Sequence, residues 1–329
     1  MNEINKVKLS RIRRTAGMRE MFGMQIPAPS KFIWPVFVVE GQGIKEPIGS
    51  MPNQFRYSPD MLIEDLEKVV EMGIGGIMIF GVMNDHARKS SFPDYPYRED
   101  GAVQKAIHLV KMNFPDLLVC TDVCLCAYTN HGHCCLFDDC GKMDIDKTNA
   151  LLAKIALSHA QTGADCVAPS AMMDGQVCAI RNILDENHFQ DTLIMSYSTK
   201  FASSMYGPFR SASECTPQFG DRRSYQLPAN DIHQAIRESL QDEKEGADIL
   251  MVKPALFYLD IISAIRKDTK CPLAAYNVSG EYSMLHASAK EGYGDLYPMA
   301  SESLLSIFRA GADVVLSYWA NQYDRLFKK

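Results

Sequence analysis

The sequence is short of features that would place it in several common classes. It has no excess of positive charge: 34 Lys and Arg stand against 40 Asp and Glu, a formal net charge of −6. A nucleic-acid binder would carry a basic stripe, so no nucleic-acid partner is expected. No stretch is long, apolar and uncharged enough to span a bilayer, and no membrane partner is expected either. Met1 to Arg14 is basic and polar, without the apolar segment of a secretory signal. No low-complexity run, charge block or interior linker divides the chain, and no Gly-x-Gly-x-x-Gly follows the first apolar run. What is present is a 329-residue chain with 47% apolar and 22% charged residues, enough for a substantial core. Of its ten cysteines, six crowd between Cys120 and Cys140. Clustered cysteines in a large chain without a signal point to metal or reactive thiols, and the cytoplasm is the expected compartment.

From about residue 32, short apolar runs alternate with segments of helical spacing. The expected strands are Phe32–Val39, Gly75–Phe80, Leu117–Thr121, Cys166–Ser170, Leu193–Thr199, Asp248–Lys253, Leu273–Val278 and Asp313–Tyr318. Helical spacing covers Pro59–Met72, with Ser58 before it, and Thr148–Gln161, Ile232–Glu245 and Leu256–Lys267. The triplet Gly-Ala-Asp recurs before an apolar run at Gly163, Gly246 and Gly311, an internal echo of one repeated unit, with glycine closing the preceding helix. Eight strands separated by helices imply parallel pairing. Near 300 residues the economical closure is a (β/α)8 TIM barrel over residues 31–329, preceded by an N-terminal arm, residues 1–30, that packs on a neighbouring subunit or is disordered.

In such barrels chemistry collects where strands end. Lys200 and Lys253 each end an apolar run, and two amines at one face lower each other's pKa, as apolar walls also do, freeing a neutral amine for carbonyl attack. Asp122, Ser170, Tyr276, Ser279 and Tyr318 sit at other strand ends. Cys124, Cys126 and Cys134, at i, i+2 and i+10, can reach one cation, and thiolates favour zinc; three ligands leave a fourth position open. Cys135, Cys140, His131 and His133 compete as ligands. A long glycine- and serine-rich segment from Lys200 to Pro228 reads as a lid, on which Arg210 and Arg222 can clamp a carboxylate. Cys166, Cys178, Cys215 and Cys271 read as core or incidental thiols, and the eighteen methionines as packing residues.

The pieces DVCLCAYTNHGHC, APSAMMDGQVCAIR, KFASSMYGPFR, GDRRSYQ, GADILMVKPALFYLDII, AAYNVSGEY and VVLSYWA carry a resemblance. The chain resembles the porphobilinogen synthase, or delta-aminolevulinic acid dehydratase, family from about Arg11 to near its C-terminus. The resemblance implies condensation of two 5-aminolevulinate molecules to porphobilinogen with loss of two waters. It implies that Lys253 forms a Schiff base with the substrate that becomes the propionate side, and that Lys200 binds the other substrate similarly. Cys124, Cys126 and Cys134 match a zinc triad. Asp122 and Ser170 match residues that contact the amino group or assist proton transfer. Arg210, Arg222 and Gln226 match one carboxylate clamp, Ser279 and Tyr318 the other carboxylate site, and Tyr206, Phe209 and Tyr276 the pocket walls. Glu238 matches a glutamate associated with an allosteric magnesium, and a homo-octamer assembled through arms is implied.

The sequence departs from the family at Ala171, where many relatives have Asp. It departs again at Ser224, which replaces a cysteine of some animal members, and across the arm segment Met18–Gln25. A class I aldolase on the same barrel would need one Schiff-base lysine and leave the second lysine and the three cysteines unexplained. A non-catalytic zinc-storage or redox-sensing barrel would bind metal independently of Lys253.

Overall fold

The computed structural model describes residues 8–328. Eight parallel strands form the barrel wall: β1 Phe32–Val39, β2 Gly76–Val82, β3 Leu118–Val123, β4 Cys166–Pro169, β5 Leu193–Lys200, β6 Ile249–Lys253, β7 Leu273–Asn277 and β8 Val314–Ser317. Neighbours pair in chain order, and β8 closes on β1 through Phe32↔Val315 and Ile33↔Leu316. Helices follow the strands around the outside, among them Pro59–Glu71, Ala102–Asn113, Ile145–Thr162, Gln176–Glu186, Ile232–Glu245, Leu259–Asp268, Ser279–Lys290 and Leu296–Ala310. The fold is a (β/α)8 barrel. All eight residues of β1 are buried, because a parallel strand here is covered by helices on one side and by barrel-filling side chains on the other.

The Gly-Ala-Asp echo has a physical reason. Asp165, Asp248 and Asp313 each precede a strand and accept a hydrogen bond from the first backbone N–H groups of the strand before it: Val119 at 2.8 Å, Ile194 at 2.7 Å and Leu273 at 2.9 Å. Each aspartate N–H donates back to the carbonyl of the same residue. The carboxylate thus satisfies a strand-end donor that would otherwise lie unpaired at the barrel floor. The preceding glycines take positive φ, +108° at Gly163, +105° at Gly246 and +122° at Gly311, where a side chain would be strained.

The strand boundaries differ from expectation by one or two residues, with one consequence for chemistry. β3 runs on through Asp122, which pairs with Ala168, so this carboxylate is held by the barrel wall and not by a loop. Ser58 does not cap its helix; its Oγ accepts from Ile44 N at 2.8 Å instead. That bond belongs to a hairpin with no strong signal in the sequence, Lys45–Pro47 against Phe55–Tyr57. Its second strand pairs with Phe37 and Val38 of β1, beyond the point where β8 leaves off.

Ahead of the barrel lie two short, solvent-facing helical segments, Leu9–Arg13 and Ala16–Phe22. The first seven residues of the expected arm lie outside the described residues. Among the described residues no helix is long and apolar enough to cross a membrane.

Candidate active site

Lys200 ends β5 and Lys253 ends β6, and the two are direct partners across the sheet. A bulge levels them. The register runs Ser196↔Leu250 and then Thr199↔Val252, so β5 carries one residue more than β6 over this stretch. Ser198 and Thr199 consequently both turn outward, to Ser239 Oγ at 3.2 and 2.6 Å, and Lys200 turns inward beside Lys253. Both lysines are buried.

Lys253 Nζ sits in an aromatic box, 4.4 Å from the ring centre of Tyr276, 4.8 Å from Tyr197, 5.1 Å from Phe209 and 5.4 Å from Tyr206. Burial first, and the like charge of Lys200 second, push its pKa down from 10.5 to about 7, against the opposing pull of Asp122. Lys200 Nζ donates to the carbonyl of Ser170. Burial raises the Asp122 carboxyl to about 6, although both lysines and a hydrogen bond from Ser170 favour its charged form. The site therefore holds an amine and a carboxyl that both exchange protons near neutrality.

The box is roofed by the segment after β5. Its short helix Gly207–Ala212 carries Phe209, whose N–H donates to Ser279 Oγ at 2.9 Å. Tyr206 Oη donates to the carbonyls of Phe201 and Lys253, and Tyr276 and Tyr318 share a hydroxyl hydrogen bond of 3.0 Å. Several polar atoms here are buried without a partner: Asp122 Oδ1, Arg210 Nε, Arg222 Nε, and both Oε1 and Nε2 of Gln226. Buried polar groups are nearly always paired, so each of these orphans is a candidate contact for a polar ligand. A small recess, with room for about one water molecule (about 10 Å³), lies against Asp122, Cys124, Cys126, Phe209 and Ser213. A larger open cleft lies elsewhere, between Met172–Gln176 and the helix Ile232–Glu245; Glu238 lines it with Asp174, and neither lysine does. Burial and Asp174 raise the Glu238 carboxyl.

The thiols of Cys124, Cys126 and Cys134 all lie within 4.8 Å of one another, with Cys124 Sγ 3.5 Å from Cys126 Sγ. Hydrogen bonds from Cys124 and then Cys126 hold the Cys134 thiol well below its usual range despite burial. The competing histidines are engaged otherwise. His133 uses Nδ1 with Tyr225 Oη at 3.0 Å and Nε2 with the Phe219 carbonyl at 2.9 Å, and His131 Nδ1 accepts from His133 N. Cys140 is exposed and Cys135 stands outside the set. These histidine contacts, with Gln218 N donating to the His131 carbonyl, clasp the lid onto the cysteine loop. Arg222 joins the same clasp: its Nη2 donates to the carbonyls of Gly132 and Cys215 at 2.8 and 2.6 Å.

Two residues escaped the sequence reading. Cys215 is the core thiol that was expected, but it also lies against Cys126 and beside Arg222. It stands far from the triad in the chain, so no spacing could have announced it. Glu281 is buried beneath the site and accepts from Asn277 Nδ2, Val278 N and Leu256 N at 2.8–2.9 Å, tying the turn after β7 to the turn after Lys253. A glutamate three residues into a helix is a recognisable reach-back signal.

The delta-aminolevulinic acid dehydratase family model matches residues 6–326. A delta-aminolevulinic acid dehydratase of Methanothermobacter thermautotrophicus is 48% identical over 318 residues, covering 95% of each chain. One of Halalkalibacterium halodurans is 46% identical over 316 residues, covering 96% of this chain and 95% of the relative. Among solved structures, delta-aminolevulinic acid dehydratase (porphobilinogen synthase) of Toxoplasma gondii, in complex with the reaction product porphobilinogen, superposes with a TM-score of 0.93 at 41% identity. That match covers 96% of this chain and 90% of the other.

Proposed function

The chain belongs to the delta-aminolevulinic acid dehydratase family, and on that premise we propose how its site condenses two molecules of 5-aminolevulinate to porphobilinogen, with loss of two waters, in haem biosynthesis. The observation that carries the mechanism is the level pair Lys200 and Lys253, one of them held near neutrality inside an aromatic box. Both substrates are keto acids, so two amines can each engage a ketone. Neutral Lys253 attacks one carbonyl and water leaves, giving an iminium that acidifies the neighbouring carbon. Lys200 engages the second ketone in the same way. Asp122, with its carboxyl near neutrality, takes and returns protons between the two substrates, with Ser170 bonded to it. Holding both substrates side by side removes much of the entropic barrier to their union.

The orphaned donors on the lid, Arg210, Arg222 and Gln226, suit one substrate carboxylate, and Ser279 with Tyr318 the other. Tyr206, Phe209 and Tyr276 wall the box and exclude water. Cys124, Cys126 and Cys134 fit a zinc ion, because three thiols within 4.8 Å make a soft donor set with one position to spare. Zinc bound there would supply Lewis-acid polarisation of a substrate oxygen. Glu238, facing Asp174 in the outer cleft, is the candidate ligand for an allosteric magnesium. The arm, residues 1–30, exposes Leu9, Ile12, Met21, Phe22, Met24 and Ile26, an apolar surface suited to assembly with further copies into a homo-octamer. Residues 31–329 form the catalytic domain, and the enzyme works in the cytoplasm.

The test is pyrrole formation from 5-aminolevulinate with zinc supplied and then chelated, in the wild type and in Lys253→Met. Zinc-dependent product in the wild type and none in the variant are expected. Product that survives chelation removes the catalytic zinc, and turnover in the variant removes the role of Lys253.

A further inference from the structure

Cys215 lies on the lid, three residues past the helix Gly207–Ala212, and is wholly buried. Its thiol rests against that of Cys126, and Cys126 is a member of the triad. Its backbone is held at both ends: its N–H donates to the Arg210 carbonyl at 3.2 Å, and its carbonyl accepts from Arg222 Nη2 at 2.6 Å. The same Arg222 nitrogen grips Gly132 of the cysteine loop, and Arg222 Nε is buried without a partner. A Cβ on Gly132 would stand 2.5 Å from the Thr216 carbonyl, so lid and cysteine loop interlock at the residue after Cys215. A thiol belonging to the lid is therefore pinned at the edge of the three-thiol set.

We propose that Cys215 supplies a fourth thiolate to the metal held by Cys124, Cys126 and Cys134 when the lid is closed without substrate, and yields that position when substrate enters. The inference rests on the reading of the triad as a metal site. Zinc–sulfur bonds of about 2.3 Å set tetrahedral sulfurs about 3.8 Å apart. Cys215 touches Cys126 but stands outside the set of three, so its thiol must swing toward Cys124 and Cys134 as the set contracts to complete the shell. The Cys215 thiol loses a proton to solvent on binding and regains one when displaced. Four thiolates and a divalent cation carry a net charge of −2, and the cations beside the thiols, Arg222 and Lys200, offset it. A four-thiolate shell is closed and inert, whereas three thiolates leave the open position that chemistry needs. Lid closure without substrate thus stores the metal, and substrate exposes it.

The test is X-ray absorption at the zinc edge of the full-length, zinc-loaded enzyme, before and after 5-aminolevulinate. Four sulfurs at about 2.3 Å falling to three with one lighter atom is the expected result. Cys215→Ser should show three sulfurs in both states. The cobalt-substituted variant should lose about a quarter of the sulfur-to-metal charge-transfer intensity of the cobalt wild type, as four thiolates become three. Three sulfurs and a lighter atom in the substrate-free wild type overturn the role of Cys215 and leave the triad standing. A wild type that takes up no zinc overturns both. The wild-type measurement decides without any variant having to fold.

Discussion

A Lys253 pKa of about 7 sets how much of that amine is free to attack. At an ordinary 10.5 only about one lysine in 3,000 would be neutral at pH 7, whereas at about 7 half are. The barrel's environment is therefore worth about three orders of magnitude in nucleophile, or about 4 kcal/mol. The perturbations are Lys200→Met, which removes a like charge and leaves the burial, and Asp122→Asn, which removes an opposing charge. The assay is cyanoborohydride trapping of a Schiff base with levulinate, the keto acid without the amino group, followed by mass spectrometry of the peptide that carries Lys253. In the wild type the trapping rate should rise with pH to a plateau, with a midpoint near 7. Lys200→Met should move the midpoint up, yet keep it below 10.5 because burial is the larger cause; Asp122→Asn should move it down. A wild-type midpoint near 10.5, or both variants shifting in the same direction, refutes the account of a buried amine tuned by its two neighbours.

Three further outcomes follow from the packing. Lys253→Met should raise stability while abolishing turnover. A lysine whose folded pKa lies below its unfolded value binds fewer protons when folded between pH 7 and 10.5, so it destabilises the fold most below pH 7. The variant's gain in urea midpoint should correspond to roughly a few kcal/mol at pH 6 and vanish above pH 10.5; a gain that does not change with pH contradicts this. Gly280→Ala places a Cβ 2.4 Å from the backbone carbonyl of Met205, where the lid begins. It should cost roughly 1–3 kcal/mol in denaturant titration and lower kcat by loosening Phe209, and an unaffected enzyme would show that the lid's root tolerates displacement. Glu281→Gln keeps one acceptor oxygen but sets amide hydrogens against the donor of one turn or the donors of the other, and should cost roughly 1–3 kcal/mol; a neutral substitution would mean that Glu281 does not tie the two turns together.

The barrel was legible because its signals are periodic and local: eight apolar runs, helices closed by glycine, and an aspartate repeated ahead of three strands. The expected strands lie within two residues of the observed ones. The hairpin Lys45–Tyr57 was not, since its two strands have three residues each and owe their pairing to the free edge of β1. The three cysteines could be nominated from spacing, but six cysteines and two histidines within about twenty residues offered several ligand sets. The distances in the fold favour one, because His133 spends both ring nitrogens on the lid.

By itself the sequence determined the class of fold, the strand ends from which reactive groups project, and the presence of two lysines, a thiol cluster and a lid. It could not determine that the lysines stand level. Side chains alternate across a strand, so a single extra residue in β5 decides whether Lys200 faces the barrel or the helices, and that bulge is fixed by Ser198 and Thr199 both bonding outward to Ser239. Nor could it bring Cys215 to Cys126 across 89 residues of chain. Proximity of that kind is made by the closed barrel and the lid folded over it, where contacts depend on three-dimensional packing and not on separation along the chain.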